Sequence, residues 1–453
     1  MDHHGPLFPS AGQQPAQVSD DRSNGIHTGA WHSALRHRSL SATLEVPFLL
    51  FFGFAATCPL LLVEGLNIRL TEALAAVAFV TATWRILQSG KVHPVARLYV
   101  PLLLFTLGWV IVELYFDSFI PTERAGRMLL VRWLEGFPIA YCLVMLCSDE
   151  RKRFLIAIGM LAGLGIDLAL LIQDDVTFAL TRAPLYTAVG LANYAAGEYR
   201  AAGIFGHPNG AAIATLILVP VAIGLIRERR LSAILFLLPL AAVVEVFLLT
   251  KTRGASMVSM LLIAYSIVRT LRLRTIAIIA LATALLVTTL AALQGSTAFE
   301  DEAVKVVSER FDRPTEMDEN FEGRLDTMVA AIELIGEHPF GMGAAYMSEM
   351  AAKVDYEATH NAFLQLALLG GIPLTLTIAI PLVLAAAGIV RRDSSLEAWI
   401  AAYLCMAFFF ETAFFLPIVP ALTLWSAWPY RRRRSFARES SSPIKDTVVG
   451  SEA

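Results

Sequence analysis

Four short stretches of this sequence place polar groups at the ends of apolar runs, where chemistry could occur. The first reads Arg200-Ala-Ala-Gly203-Ile-Phe-Gly206-His207-Pro208-Asn209-Gly210. Pro208 and Gly210 suit a turn before a helix, which Asn209 could cap. The second, Lys251-Thr252-Arg253-Gly254, joins two apolar runs with almost no loop. The third opens at Glu322-Gly323-Arg324 and closes at Gly336-Glu337-His338-Pro339-Phe340-Gly341-Met342-Gly343, where the glycines permit a tight return of the chain. The fourth is Thr359-His360-Asn361, with Gln365 and Gly370-Gly371 beyond it. Guanidinium forks grip phosphate oxygens in pairs and stay charged. Arg200, Arg253 and Arg324 could therefore stabilise charge developing on a departing diphosphate, while His360 is the candidate general base for an acceptor hydroxyl. Plainer readings stand beside these: an interfacial Arg leading into a helix, a snorkelling Arg253, an Arg324 paired with Glu322 or Asp326, and a satisfied interfacial His. There is no Walker A sequence, no Gly-rich dinucleotide fingerprint and no Asp-x-Asp pair. The donor must then carry its own activation, as a lipid diphosphate-linked sugar does.

The elements that must hold these groups are apolar. Of 453 residues, 56% are hydrophobic and 17% charged, and mean hydropathy is +0.60. Soluble chains carry about 25% charged residues, so the composition argues against a water-soluble enzyme. The net charge of −3 argues against nucleic acid as a partner. Cys58, Cys142, Cys147 and Cys405 lie in or beside apolar runs and imply no disulfide framework. The nine histidines form no metal-ligand cluster. Apolar runs near 46–63, 71–84, 98–115, 128–147, 154–172, 211–226, 231–249, 255–268, 275–293, 362–390, 398–410 and 415–428 predict about twelve spans, the last two being readable as one long or broken segment. A polar tail (1–43) precedes this region (44–430), and a basic tail (431–453) follows it.

Lys and Arg concentrate on alternate loops, from Arg85/Lys91/Arg97 to Arg431–Arg434, which predicts cytoplasmic termini. Two long loops then fall outside, 173–209 and 294–359. The second, between spans nine and ten, holds fifteen Asp/Glu against five Lys/Arg from Glu300 to Glu357. Within it Leu325, Met328, Val329, Ile332 and Ile335 recur at helical spacing, predicting an amphipathic helix on the bundle or at the outer interface.

These motifs, in this order and on one face, resemble the O-antigen ligase and polymerase superfamily of bacterial envelope enzymes, over about 200–371. His360-Asn361, nine residues and Gly371 resemble its His-(Asn/Ser/Gln)-x9-Gly-x-x-Gly motif, with Leu374 in place of the second glycine. Thr252-Arg253-Gly254 resembles its Ser-Arg-Gly element, and Arg200 to Asn209 its Arg-x-x-Gly-x-Phe-x-x-Pro-Asn stretch. The resemblance implies an all-α, GT-C-like, twelve-helix glycosyltransferase of the bacterial inner membrane, metal-independent, inverting and without a cofactor. Its site would be periplasmic, its donor an undecaprenyl diphosphate-linked glycan, and its acceptor lipid A–core or a growing glycan. Arg253 and Arg324 would hold the diphosphate and His360 would activate the acceptor. Arg200, His207, Asn209, His338 and Asn361 would line the substrate site. Ligase is favoured over polymerase by the His-Asn-x9-Gly match. A glycolipid flippase would instead use charges at mid-membrane such as Glu113, Asp167 or Glu245, which could equally pair with Arg132 or polar neighbours. A non-catalytic assembly subunit would use the acidic loop for docking.

Overall fold

The computed structural model describes residues 44–58, 60–63, 68–89, 94–117, 124–147, 149–185, 199–228, 232–270, 314–354, 359–391, 395–410 and 418–427. The two expected tails, the ninth apolar run and the first part of the acidic loop lie outside these residues. Contacts divide the chain into Met1–Pro47 and Phe48–Ala453. Residues 44–47 of the first unit are helical; everything below concerns the second.

The described residues are helical apart from a small antiparallel ribbon, β1 (Leu61–Val63) with β2 (Ile68–Arg69). The helices are α1 (Leu44–Thr57), α2 (Leu70–Ser89), α3 (Pro94–Asp117), α4 (Arg124–Leu146), α5 (Glu150–Thr181), α6 (Pro208–Thr215) and α7 (Leu218–Glu228). There follow α8 (Leu237–Thr250), α9 (Arg253–Thr270), α10 (Pro314–Glu337), α11 (Tyr346–Val354), α12 (Ala362–Val390), α13 (Leu396–Ala407) and α14 (Ile418–Ser426). Among the described residues three stretches are long and apolar enough to cross a membrane: α5, α6 with α7, and α12. The sixth apolar run is thus divided by a turn at 216–217, and the last two runs are separate helices.

Small residues let helices approach where no water drives them together. A Cβ added at Gly53 of α1 would strike the Ile156 carbonyl of α5, and one at Gly159 the Leu50 carbonyl. Thr57 Oγ1 closes this contact by donating to Met160 O at 3.1 Å. α2 and α4 are joined by buried Arg132, which pairs with Glu72 and, at 2.9 Å, with Glu135. Arg132 is therefore engaged by acids other than Glu113. Glu113 instead accepts the Ala344 N–H at 2.6 Å, fixing the loop after α10 to α3.

At the end of the bundle away from the motifs, Arg153 of α5 reaches Glu228 at 3.4 Å and Glu397 at 3.5 Å. Arg269 of α9 donates to the Ile389 and Val390 carbonyls at 2.7 and 2.9 Å, which sets α9 and α12 level there. From Arg269 to Arg253, α9 rises about 24 Å. A straight α12 would rise about 40 Å from Ile389 to Ala362. It does not, because Gly371 has φ 84° and ψ 169° and breaks the helix. The expected tenth span is therefore two helices, Ile372 to Val390 and a first part that turns toward the start of α9.

Candidate functional site

Asp174 on α5, 1% exposed, anchors the first motif. Its carboxylate accepts the Leu185 N–H at 2.8 Å, the Tyr199 hydroxyl at 3.1 Å, and the Ala202 and Gly203 N–H groups at 3.3 and 3.1 Å. The Tyr199 ring stacks on Phe178 at 3.5 Å. Burial and the adjacent Asp174 carboxylate push the Tyr199 phenol above its ordinary range.

Held this way, Arg200 points along the neighbouring helix end. Its Nε donates to Thr250 O at 2.7 Å, and one terminal nitrogen to Asn209 Oδ1 at 2.7 Å and Thr252 Oγ1 at 3.1 Å. Thr252 Oγ1 also donates to Asn209 Oδ1 at 3.1 Å. The first and second motifs are thus one hydrogen-bonded unit, with the Arg200 fork spent partly on protein. The cap of α6 is His207 rather than Asn209: with Pro208 at the first helical position, His207 Nδ1 accepts the Asn209 N–H at 3.2 Å. The Asn209 side chain is then left for Arg200 and Thr252.

Lys251 ends α8 in the left-handed conformation (φ 53°), and α9 starts two residues later at Arg253. Arg253 is exposed at the helix N-terminus. A cation there adds to the positive end of the helix dipole, so the position favours an anion.

The second and fourth motifs meet at a turn that sequence reasoning missed, 408–410. A Cβ on Gly254 would stand 2.8 Å from Phe410 Cβ, and Phe408 O accepts the Ala362 N–H at 2.8 Å. Phe363 packs edge-on against Phe408 and Phe409. The only signal for this turn was the run of three Phe at the end of an apolar segment, which reads as more lipid-facing helix.

His360 is half-buried and left-handed (φ 49°). Its neighbours pin it: Thr359 Oγ1 donates to Asn361 O at 2.9 Å, and Asn361 Oδ1 caps α12 by accepting the Phe363 and Leu364 N–H groups at 2.9 and 3.1 Å. A β-carbon in this region costs about 1–2 kcal/mol, strain of the kind found at functional positions. One turn on, Gln365 donates to the buried Tyr346 hydroxyl at 2.8 Å.

Gly371 explains the fixed spacing in the fourth motif. The 339–342 segment lies directly on it: Ile372 N donates to Pro339 O at 2.9 Å and Met342 N to Leu368 O at 2.7 Å. A Cβ on Gly371 would stand 2.5 Å from the Phe340 carbonyl carbon, and one on Gly341 (φ 87°) 2.6 Å from Gly371 N. At the position of the motif's second glycine, buried Leu374 packs into the space that Gly370 leaves. His338, half-buried at the end of α10, belongs to this loop. Arg324 is exposed, its carbonyl accepting from Thr327 Oγ1 at 2.8 Å. No hydrogen bond or ion pair among the described residues joins Arg324 to the other motifs.

Residues 240–379 match the family model of the O-antigen ligases. Over this stretch, less than half of its length, the chain is similar to the O-antigen ligases. The matched span starts in α8 and ends in α12, so it holds Arg253, Arg324, His338, His360, Asn361 and Gly371. Arg200, His207 and Asn209 fall outside it and reach it through the Arg200 hydrogen bonds. A comparison with curated proteins gave no match. The apolar helices and this similarity to the O-antigen ligases together point to a helical membrane protein.

Away from the motifs, an apolar groove of about 330 Å³ opens between α1, α2 and α4, with Phe52, Leu74, Tyr141 and Met145 among its walls.

Proposed function

We propose that this protein transfers a glycan from undecaprenyl diphosphate to an acceptor hydroxyl at the periplasmic face of the bacterial inner membrane. The reading assigned first is ligation of O-antigen to lipid A–core. The observation that carries it is the contact path from Arg200 through Thr252 to Arg253, and from Gly254 through the 408–410 turn to His360. Two arginines, a histidine and a helix N-terminus are thereby gathered at one end of the bundle.

In the proposed reaction, His360 removes the proton from the acceptor hydroxyl as its oxygen attacks the anomeric carbon. The new glycosidic bond forms while the bond from that carbon to the diphosphate oxygen breaks. The leaving undecaprenyl diphosphate keeps the electron pair, and Arg253 with Arg324 balances its charge. Attack opposite the leaving group inverts the anomeric configuration. Arg200, His207, Asn209, His338 and Asn361 frame the substrate. The family supports glycan ligation or polymerisation, and the distribution of Lys and Arg supports twelve spans with both termini in the cytoplasm.

His360→Ala and Arg324→Ala are expected to abolish glycan transfer at unchanged membrane level. Arg253→Lys should be poor, since Lys lacks the planar fork. Retained transfer in His360→Ala would remove the general-base role. Deleting the gene and resolving the cell's lipopolysaccharide on a gel separates ligase from polymerase. Lipid A–core without any O-antigen bands identifies a ligase; core bearing one repeat, or missing exopolysaccharide alone, identifies a polymerase. A flippase would instead lose function on substitution of Asp167 while Arg253 variants worked.

A further inference from the structure

α10 carries two apolar faces. Thr327, Ala330, Ala331 and Leu334 are buried, packing the helix on its neighbours. The larger side chains lie opposite: Leu325, Val329 and Ile332 fall within about 60° of one another at 100° per residue, and they are 50%, 48% and 59% exposed. The sequence pattern thus marked an apolar face whose core, 325/329/332, is not the one that meets the protein. One turn beyond Gly336 stands Phe340, 74% exposed.

Phe340 is next to the break in α12, because Pro339 O accepts the Ile372 N–H at 2.9 Å. From Ile372 onward the exposed side of α12 is Ile372, Leu376, Ile380 and Val383. From Ile372 to Val390 this part of α12 measures about 28 Å, close to the hydrocarbon thickness of a bilayer of about 30 Å. On the membrane reading Ile372 falls at one hydrocarbon boundary, the exposed row of α12 faces lipid, and Phe340 stands beside its end. Charged groups avoid the exposed apolar row of α10: Glu333 and Glu337 stand on its flank, within 3.8 and 3.4 Å of Lys353.

We propose that α10 and Phe340 are seated in the outer-leaflet interface of the bilayer, with Leu325, Val329 and Ile332 against lipid. The occupant of this face is the lipid surface and not a second protein, because the face continues the lipid-facing row of α12. Arg324, at the start of the row, then stands at headgroup level, where the diphosphate of a lipid-borne donor would lie. The seating rests on the membrane reading alone, so it stands or falls separately from glycan transfer.

The test is site-directed spin labelling of the full-length protein in phosphatidylcholine/phosphatidylglycerol vesicles. Cys58, Cys142, Cys147 and Cys405 are all buried and leave single introduced cysteines as the labelled sites. Nitroxides at Val329→Cys and Ile332→Cys should collide with oxygen several-fold more than with a water-soluble nickel chelate, and one at Glu333→Cys should show the reverse. Nickel collisions dominating at 329 and 332 would overturn the proposal by placing the face in water. Immobile labels shielded from both colliders would overturn it in favour of a covering protein or second copy. Leu325→Cys supplies an independent position should either variant fail to fold, with transfer of fluorescence to a membrane-soluble quencher as the second readout.

Discussion

Replacing Asp174 by alanine removes the carboxylate that fixes the Arg200 segment to α5. Four donors converge on it, two of them the buried N–H groups of Ala202 and Gly203. Each buried N–H left without a partner costs about 1–3 kcal/mol. Release of the carboxylate's own desolvation cost offsets part of this, so the expected loss is about 4 kcal/mol for alanine. Asparagine keeps one oxygen, which can serve Tyr199, Ala202 and Gly203 while the amide turns toward Leu185. The loss is then the charge and one bond, about 2 kcal/mol. The assay is hydrogen exchange read by mass spectrometry on peptides covering 199–210. At 1.4 kcal/mol per tenfold, local protection should fall roughly 1,000-fold in Asp174→Ala and roughly 30-fold in Asp174→Asn. Glycan transfer should fall in the same order, because Arg200 positions Thr250, Thr252 and Asn209 beside Arg253. Protection of 199–210 within threefold of wild type in the alanine variant would refute the anchoring role.

Four further outcomes are expected. Gly371→Ala forces a Cβ onto the Phe340 backbone at a φ/ψ that only glycine adopts readily, and should cost about 3 kcal/mol or more; Gly336→Ala, with open space on an exposed helix position, should stabilise by about 1 kcal/mol, both read as thermal midpoints in detergent. Arg200→Lys loses the fork that spans Thr250 O, Asn209 and Thr252, and a drop of about 2 kcal/mol in the same measurement is expected. Raising pH tests Tyr199. Its folded-state pKa lies above the unfolded value near 10, so its contribution is complete below about pH 10 and is lost as pH rises toward the folded value. Tyrosinate absorbance should show one fewer late-titrating tyrosine in Tyr199→Phe than among the eleven of the wild-type chain.

The sequence made the helices and the polar stretches between them legible, since long apolar runs and Pro/Gly punctuation are local signals. Much of the assembly was not local. Asp174 reads as one acid at the end of an apolar run, and its four donors come from as far as Gly203. Gly371 is a motif letter until Phe340 is seen resting on it. The turn at Phe408–Phe410 carries no polar group, so nothing in its composition announced that it joins Arg253 to His360. For α10 the period was legible, but two apolar faces share one helix, and hydrophobicity alone left open whether the larger residues lay on the bundle or at the outer interface. Here small residues took that side, because close backbone approach rewards small size.

The pairing of α9 with α12 at both extremities has a mechanical consequence. Arg269 fastens them at one end, and the Phe408–Phe410 turn fastens them at the other, making a closed frame whose width is set by protein alone. A bulky saccharide cannot be admitted by prising these two rods apart without breaking one fastening. The remaining side is closed too, since backbone rests on backbone at Gly341 and Gly371 under the Ile372–Pro339 and Met342–Leu368 hydrogen bonds. On the proposed function, chains of very different length would then meet one fixed setting of Arg253 and His360.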